Sequence, residues 1–146
     1  MMSLDVIMST DLKTVSPQDS LATVRTMMHD HRIHHVPVVD DKNDLVGLVT
    51  LTDVLAATDS VLRDDESRLH ASDIKVDDIM VRNLATIDEH ASLRTAALFL
   101  EKHKIGCLPV VTDGTLKGSV TDTDFVGVAI NLLEQIEESE PLEEAI

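Results

Sequence analysis

The second half of this sequence repeats the first, and that self-similarity constrains the fold more than any other feature. Displaced by 72 residues, Ile7-Met8 falls on Ile79-Met80, Leu12-Lys13-Thr14-Val15 on Leu84-Ala85-Thr86-Ile87, and Ser20-Leu21 on Ser92-Leu93. The same displacement lays Ile33 to Val39 (IHHVPVV) over Ile105 to Val111 (IGCLPVV), and 12 of the 34 pairs from residue 6 to residue 39 are identical, too many in one order for coincidence. The next turn is one residue shorter in the second half, after which Gly47 to Asp53 (GLVTLTD) meets Gly118 to Asp124 (GSVTDTD). A unit of about 60 residues buries too little surface to be stable alone with ease. The two repeats are therefore expected to pack on each other, with residues 1–60 as the first repeat, 61–74 as a linker, 75–138 as the second repeat and 139–146 as an acidic tail.

Each repeat reads as strand, helix, strand, strand, helix. Lys13 to Val15 is expected to be a short strand stopped by Ser16-Pro17, because proline offers no N–H to a ladder. Asp19 and Ser20 are N-cap candidates, and Leu21, Val24, Met27 and Met28 follow at helical spacing. His35 to Val39 is short and rich in β-branched residues, hence a buried strand. Asp40 to Asp44 is a polar turn, Leu45 to Thr50 the returning strand, and a helix begins near Leu51. The second repeat gives a helix from Ser92 to Lys104, strands from Cys107 to Val111 and from Leu116 to Thr121, and a helix from Asp122 to about Glu138. The predicted fold class is α/β, two pseudo-symmetric β-α-β-β-α repeats packed sheet to sheet with helices outside. In the last helix Val126, Ile130 and Leu133 form an apolar stripe that could serve the protein's own core or a partner.

Composition narrows the function. Twelve Lys and Arg stand against 27 Asp and Glu, a net charge of −15, with Phe99 and Phe125 the only aromatic residues. Nucleic-acid binding rests on cations that neutralise phosphates and on aromatic faces that stack on bases, so no nucleic-acid partner is expected. The longest apolar runs fall well short of a membrane-spanning helix, no secretory leader opens the chain, and Cys107 alone can form neither an internal disulfide nor a multi-cysteine metal knot. A cytoplasmic location follows as the expectation.

The stretch Gly47 to Asp53 and its copy Gly118 to Asp124 carry the candidate chemistry. A strand that stops where a helix starts leaves N–H groups that attract anions. Thr50 and Thr121 add hydroxyls within reach of a phosphate, and Asp53 and Asp124 can each accept two hydrogen bonds from a ribose diol. Capping alone would explain one such Thr and Asp; their recurrence at the same place in the repeat favours a ligand. His29, His31, His34 and His35 crowd one region. They read as solvated or capping groups near a helix C-terminus, or, for His34 and His35, as phosphate contacts. No metal site is expected, because residues i and i+2 of a helix do not share a face. No phosphate-loop lysine, nucleophile triad or paired acid and base is present, so no enzyme and no catalytic cofactor are expected.

These motifs resemble the tandem pair of cystathionine β-synthase (CBS) domains: a leading helix ending in Ile-Met, a Thr-Val strand, an h-P-V-V strand and a G-h-V-T-x-x-D turn, each present twice. The resemblance spans about residues 3–58 and 75–135. It implies a cleft between the repeats that holds an adenine nucleotide, AMP before ADP or ATP, or an adenosyl compound. Thr50 with Asp53, and Thr121 with Asp124, would be the phosphate and ribose contacts of two sites. Thr14, Val15, Thr86 and Ile87 would touch adenine, and His34 and His35 the phosphates, with Pro37 and Pro109 among the contacts. Gly106-Cys107, the counterpart of His34-His35, departs from the pattern by lacking a cation. The family also implies a homodimer through the outer helices; an unidentified effector protein that reads the bound state is a separate expectation. The rival expectation is a ligand-independent scaffold for dimerisation or partner binding.

Overall fold

Short β-branched strands, each returning through a polar turn, build two antiparallel pairs in the computed structural model of the chain, which is described here for residues 2–63 and 70–140. Residues 61–63 close a helix, so most of the sequence between the repeats (64–69) and most of the acidic tail (141–146) lie outside the described residues. The order is a 3-10 turn (Leu4–Val6), α1 (Leu21–His31), β1 (His35–Val39), β2 (Leu45–Thr50), α2 (Leu51–Arg63), α3 (Val76–Ile79), β3 (Ile87–Asp88), α4 (Leu93–His103), β4 (Cys107–Thr112), β5 (Thr115–Thr121) and α5 (Asp122–Ser139). β1 pairs with β2, and β4 with β5, both antiparallel; β3 adds to β4 in parallel. The mixed α/β class and the strand and helix order within each repeat agree with the sequence reading.

The first strand is the exception. Between residues 13 and 15 only Val15 pairs, in a single parallel bridge to Val38. Its N–H donates to the Pro37 carbonyl (3.1 Å) and its carbonyl accepts from Val39 N–H (2.9 Å). The ladder stops there because the Ser16 N–H is taken by the Asp19 carboxylate at 2.8 Å and Pro17 has no N–H to give.

α1 and α4 are capped alike. Ser20 and Ser92 accept from the N–H of Thr23 and Thr95, and each helix closes on a left-handed residue, Arg32 (φ 53°) and Lys104 (φ 54°). The two hairpin turns bond to each other across the repeats. Leu45 N–H donates to the Gly114 carbonyl, Leu116 N–H to the Asn43 carbonyl, and the Asn43 amide to the Leu116 carbonyl at 3.1 Å.

There are two cores, and they do not follow the halves of the sequence. Leu4 is fully buried among Ile87, Ala96, Leu108 and Val120, with Ile7 and Met8 packed beside it, all in the second core. Val76 and Met80, which lead the second repeat, are buried in the first core with Val24, Val36, Val38 and Val49. Each leading segment thus crosses to the other repeat. Ser9 exchanges both backbone hydrogen bonds with Ser119, and Val81 does the same with Leu48. Glycine marks both crossings: a Cβ at Gly118 would lie 2.6 Å from the Ser9 carbonyl oxygen, and one at Gly47 2.5 Å from the Met80 sulfur.

α5 buries none of its residues. Val126, Ile130, Leu132, Leu133 and Ile136 are each half exposed or more, and Leu55 and Leu62 of α2 are exposed as well. The apolar stripe read from the sequence therefore does not serve the chain's own core.

Candidate functional site

Between the repeats opens a cleft of about 420 Å³, within the usual range for small-molecule sites. One wall comes from the first repeat: Ser9, the segment Asp11 to Lys13, and the approach to β1 from Arg32 to His35, with Pro37. The other comes from the second repeat: Gly106 and Cys107 at the start of β4, Ser119 and Thr121 of β5, and Asp122 and Thr123 at the start of α5.

The cleft lies where strands end and helices begin, and the amides that open both helices are paired within the chain. The Leu51 N–H donates to the His34 carbonyl at 2.8 Å, and the Asp122 N–H to the Gly106 carbonyl at 3.2 Å. Thr123 N–H donates to Asp122 Oδ1, and Asp124 N–H to Thr121 Oγ1. The first amides of α5 are therefore engaged, contrary to the expectation that they stand open for an anion. Their partners, the Gly106 carbonyl, the Asp122 carboxylate and the Thr121 hydroxyl, come from the chain itself in place of a ligand. An anion in the cleft would be met by side chains: Lys13, Arg32, the two histidines and the Thr121 and Thr123 hydroxyls.

The two Thr and Asp pairs are similar but not identical. Asp124 Oδ2 accepts from Thr121 N–H (2.8 Å), completing a capping box with the Thr121 hydroxyl. Asp53 Oδ2 accepts from Thr50 N–H (2.9 Å) and also from the Thr50 hydroxyl (2.8 Å). The Thr50 proton is thus committed inside its own pair.

Of the residues singled out from the sequence, His34, His35, Pro37 and Thr121 line the cleft. Asp124 sits directly behind Thr121. Val15 and Ile87 lie in the two cores, Pro109 is fully buried, Thr14 is half-buried and Thr86 exposed. Thr50 and Asp53 hold each other at the start of α2. Sequence reasoning missed Ser9, Asp11, Lys13, Arg32, Ser119, Asp122 and Thr123. Lys13 could have been noticed, because its repeat counterpart is Ala85; Ser9, Asp11 and Ser119 needed the crossing of the leading segment to be known.

Burial pushes the His35 imidazole below its ordinary range; neighbouring His34 adds to this, and the Asp122 carboxylate opposes it. Burial pushes the Cys107 thiol up to about 11, with Asp124 and Asp122 adding to it. Cys107 is a packing residue, since the thiolate is the reactive form.

The sequence model of the CBS domain matches residues 4–60 and again residues 76–131. A CBS domain-containing protein of Dictyostelium discoideum is 33% identical over 134 residues, spanning 89% of this chain and 92% of its own. Among solved structures, a Vibrio cholerae chain provisionally described as the acetoin utilization protein AcuB is 37% identical, with a TM-score of 0.80 over 97% of this chain and 99% of its own. CBSX2 of Arabidopsis thaliana, solved in complex with AMP, is 27% identical, with a TM-score of 0.78 over 91% of this chain and 99% of its own.

Proposed function

The chain belongs to the CBS-domain family, and from that premise we propose that it is a non-catalytic regulatory module binding an adenine nucleotide, AMP before ADP or ATP, between its repeats. The observation that carries this reading is the cleft itself: two repeats meet around a space of ligand size lined by Lys13, Arg32, His34, His35, Thr121 and Thr123. A phosphate would take charge-assisted hydrogen bonds from such groups. The AMP complex of CBSX2 supports the choice of nucleotide. In this reading Thr121 meets phosphate and Asp124 the ribose diol, and Thr50 with Asp53 serves a second nucleotide. Thr14, Val15, Thr86 and Ile87 frame the adenine, with Pro37 and Pro109 stiffening the strands beside it. The location is cytoplasmic, in keeping with a single unpaired thiol, and no described helix is long and apolar enough to cross a membrane.

Calorimetry with AMP, ADP, ATP, S-adenosylmethionine and NAD tests the reading. AMP is expected to bind most tightly, and the double variant Asp53→Asn, Asp124→Asn to lose about 1.5–3 kcal/mol of affinity. Unchanged AMP affinity in that variant would sink the ribose assignment.

A second reading, as a dimerising scaffold, has its own observation. The exposed Val126, Ile130, Leu133 and Ile136 of α5 form an apolar face that no described element covers. We infer a homodimer through the outer helices, through which an effector protein would sense the nucleotide. Sedimentation of the chain at micromolar concentration should show twice the mass of one chain, and Ile130→Glu should return it to a monomer.

A further inference from the structure

One corner of the cleft carries a charge that works against an anion. Asp122 opens α5 and lines the cleft; its Oδ1 is taken by the Thr123 N–H at 2.9 Å, while its Oδ2 lies on the side of Gly106. The opposite wall is the His35 ring, and Gly106 lies between them. A Cβ at Gly106 would stand 3.5 Å from Asp122 Oδ2 and 3.6 Å from His35 Cε1. At those distances a methyl would make ordinary van der Waals contact with both groups, so Gly106 marks the space between the carboxylate and the ring. The carboxylate comes from the second repeat and the imidazole from the first, so the two meet only where a ligand would join the repeats. The repeat does not duplicate this arrangement: Asp122 corresponds to Leu51, and His35 to Cys107.

We propose that Asp122 and His35 form a proton-dependent gate on this cleft, admitting an anionic 5′ group when the imidazole is protonated and opposing it when the imidazole is neutral. The proposal rests on the nucleotide reading above and adds its regulation. The other charged or titratable groups around His35 are accounted for. His34 precedes it in the chain and disfavours a second positive charge. Asp11, Lys13 and Arg32 line the same cleft. The Cys107 thiol, pushed up to about 11, stays protonated between pH 6 and 8. His35 is the group whose proton the gate uses. Bound phosphate places a second negative charge beside that of Asp122, which raises the proton affinity of the ring. Binding then takes up a proton, and by linkage tightens as pH falls.

Calorimetry of the full chain with AMP at pH 6.5 and pH 8, in buffers of different ionisation heat, reads this directly, with adenosine as the uncharged control. The parent should take up protons with AMP and bind it roughly fivefold tighter at pH 6.5, although phosphate ionisation alone would favour the higher pH. Adenosine affinity should not change. Asp122→Asn, at an exposed position, should bind AMP roughly fivefold tighter than the parent at pH 8. His35→Gln should lose the proton uptake. If Asp122→Asn leaves AMP affinity at pH 8 unchanged, or if a folded His35→Gln keeps the parental proton uptake, the gate is wrong and the nucleotide reading stands. If the parent binds neither AMP nor adenosine, the nucleotide reading itself falls and takes the gate with it.

Discussion

At the residue scale, burial keeps His35 neutral in the folded chain at pH values where the unfolded chain has already taken up a proton. A folded pKa below the unfolded value contributes full stability above pH 6.5 and loses it as pH falls through 6.5 toward the folded value. Urea unfolding at pH 7.5 and pH 5.5 should therefore show a smaller loss on acidification for His35→Gln than for the parent. Cys107 gives a matching chemical test: with its pKa near 11, iodoacetamide should label the folded protein far more slowly at pH 7.5 than it labels the unfolded chain, with the rate rising as pH approaches 10. The Thr and Asp pairs were legible in the sequence because an N-cap and its third helical residue lie three apart on any helix. Asp122 was not. It stands inside the same run of four polar residues, and only its position beside Gly106 separates a cap from a charge lining a cleft.

At the element scale, the glycines of β2 and β5 occupy equivalent places and should tolerate alanine unequally. At Gly118 the new methyl would meet the Ser9 backbone carbonyl at 2.6 Å, and that oxygen is held by the Ser119 N–H. At Gly47 the closest atoms belong to the flexible Met80 side chain, with the Val81 carbonyl farther off at 3.2 Å. Gly118→Ala should lose about 1–3 kcal/mol of stability in urea titrations and Gly47→Ala less, with equal losses counting against the close approach of Ser9. The glycine positions were visible as part of the repeat, but their reason was not, because no periodicity reports which backbone lies across a strand. The strand expected at Lys13 to Val15 fell short for a related cause. Apolar, β-branched residues mark a segment as buried and extended, whereas the length of a ladder depends on free N–H groups, and Asp19 and Pro17 remove them.

At the scale of the whole molecule, the repeat dictated two similar units and the hydrophobic pattern dictated which residues are buried, but not in which core. Leu4 belongs by sequence to the first repeat and by packing to the second; Val76 is placed the other way round. Truncating Leu4 to alanine should destabilise by about 2–5 kcal/mol, and hydrogen exchange should show the loss in β4 and β5 before β1 and β2. Neither core is complete without a segment from the other repeat, so thermal unfolding should remain one transition by every probe. The same crossing bears on what a break in the chain would do. A protease cut between residues 63 and 70 would sever the covalent join and leave both handshakes intact, the Ser9 grip on Ser119 and the Val81 grip on Leu48. The covalent join holds the two repeats at high effective concentration. Two fragments expressed separately should be disordered alone and complement each other when mixed, as the parts of a split reporter do.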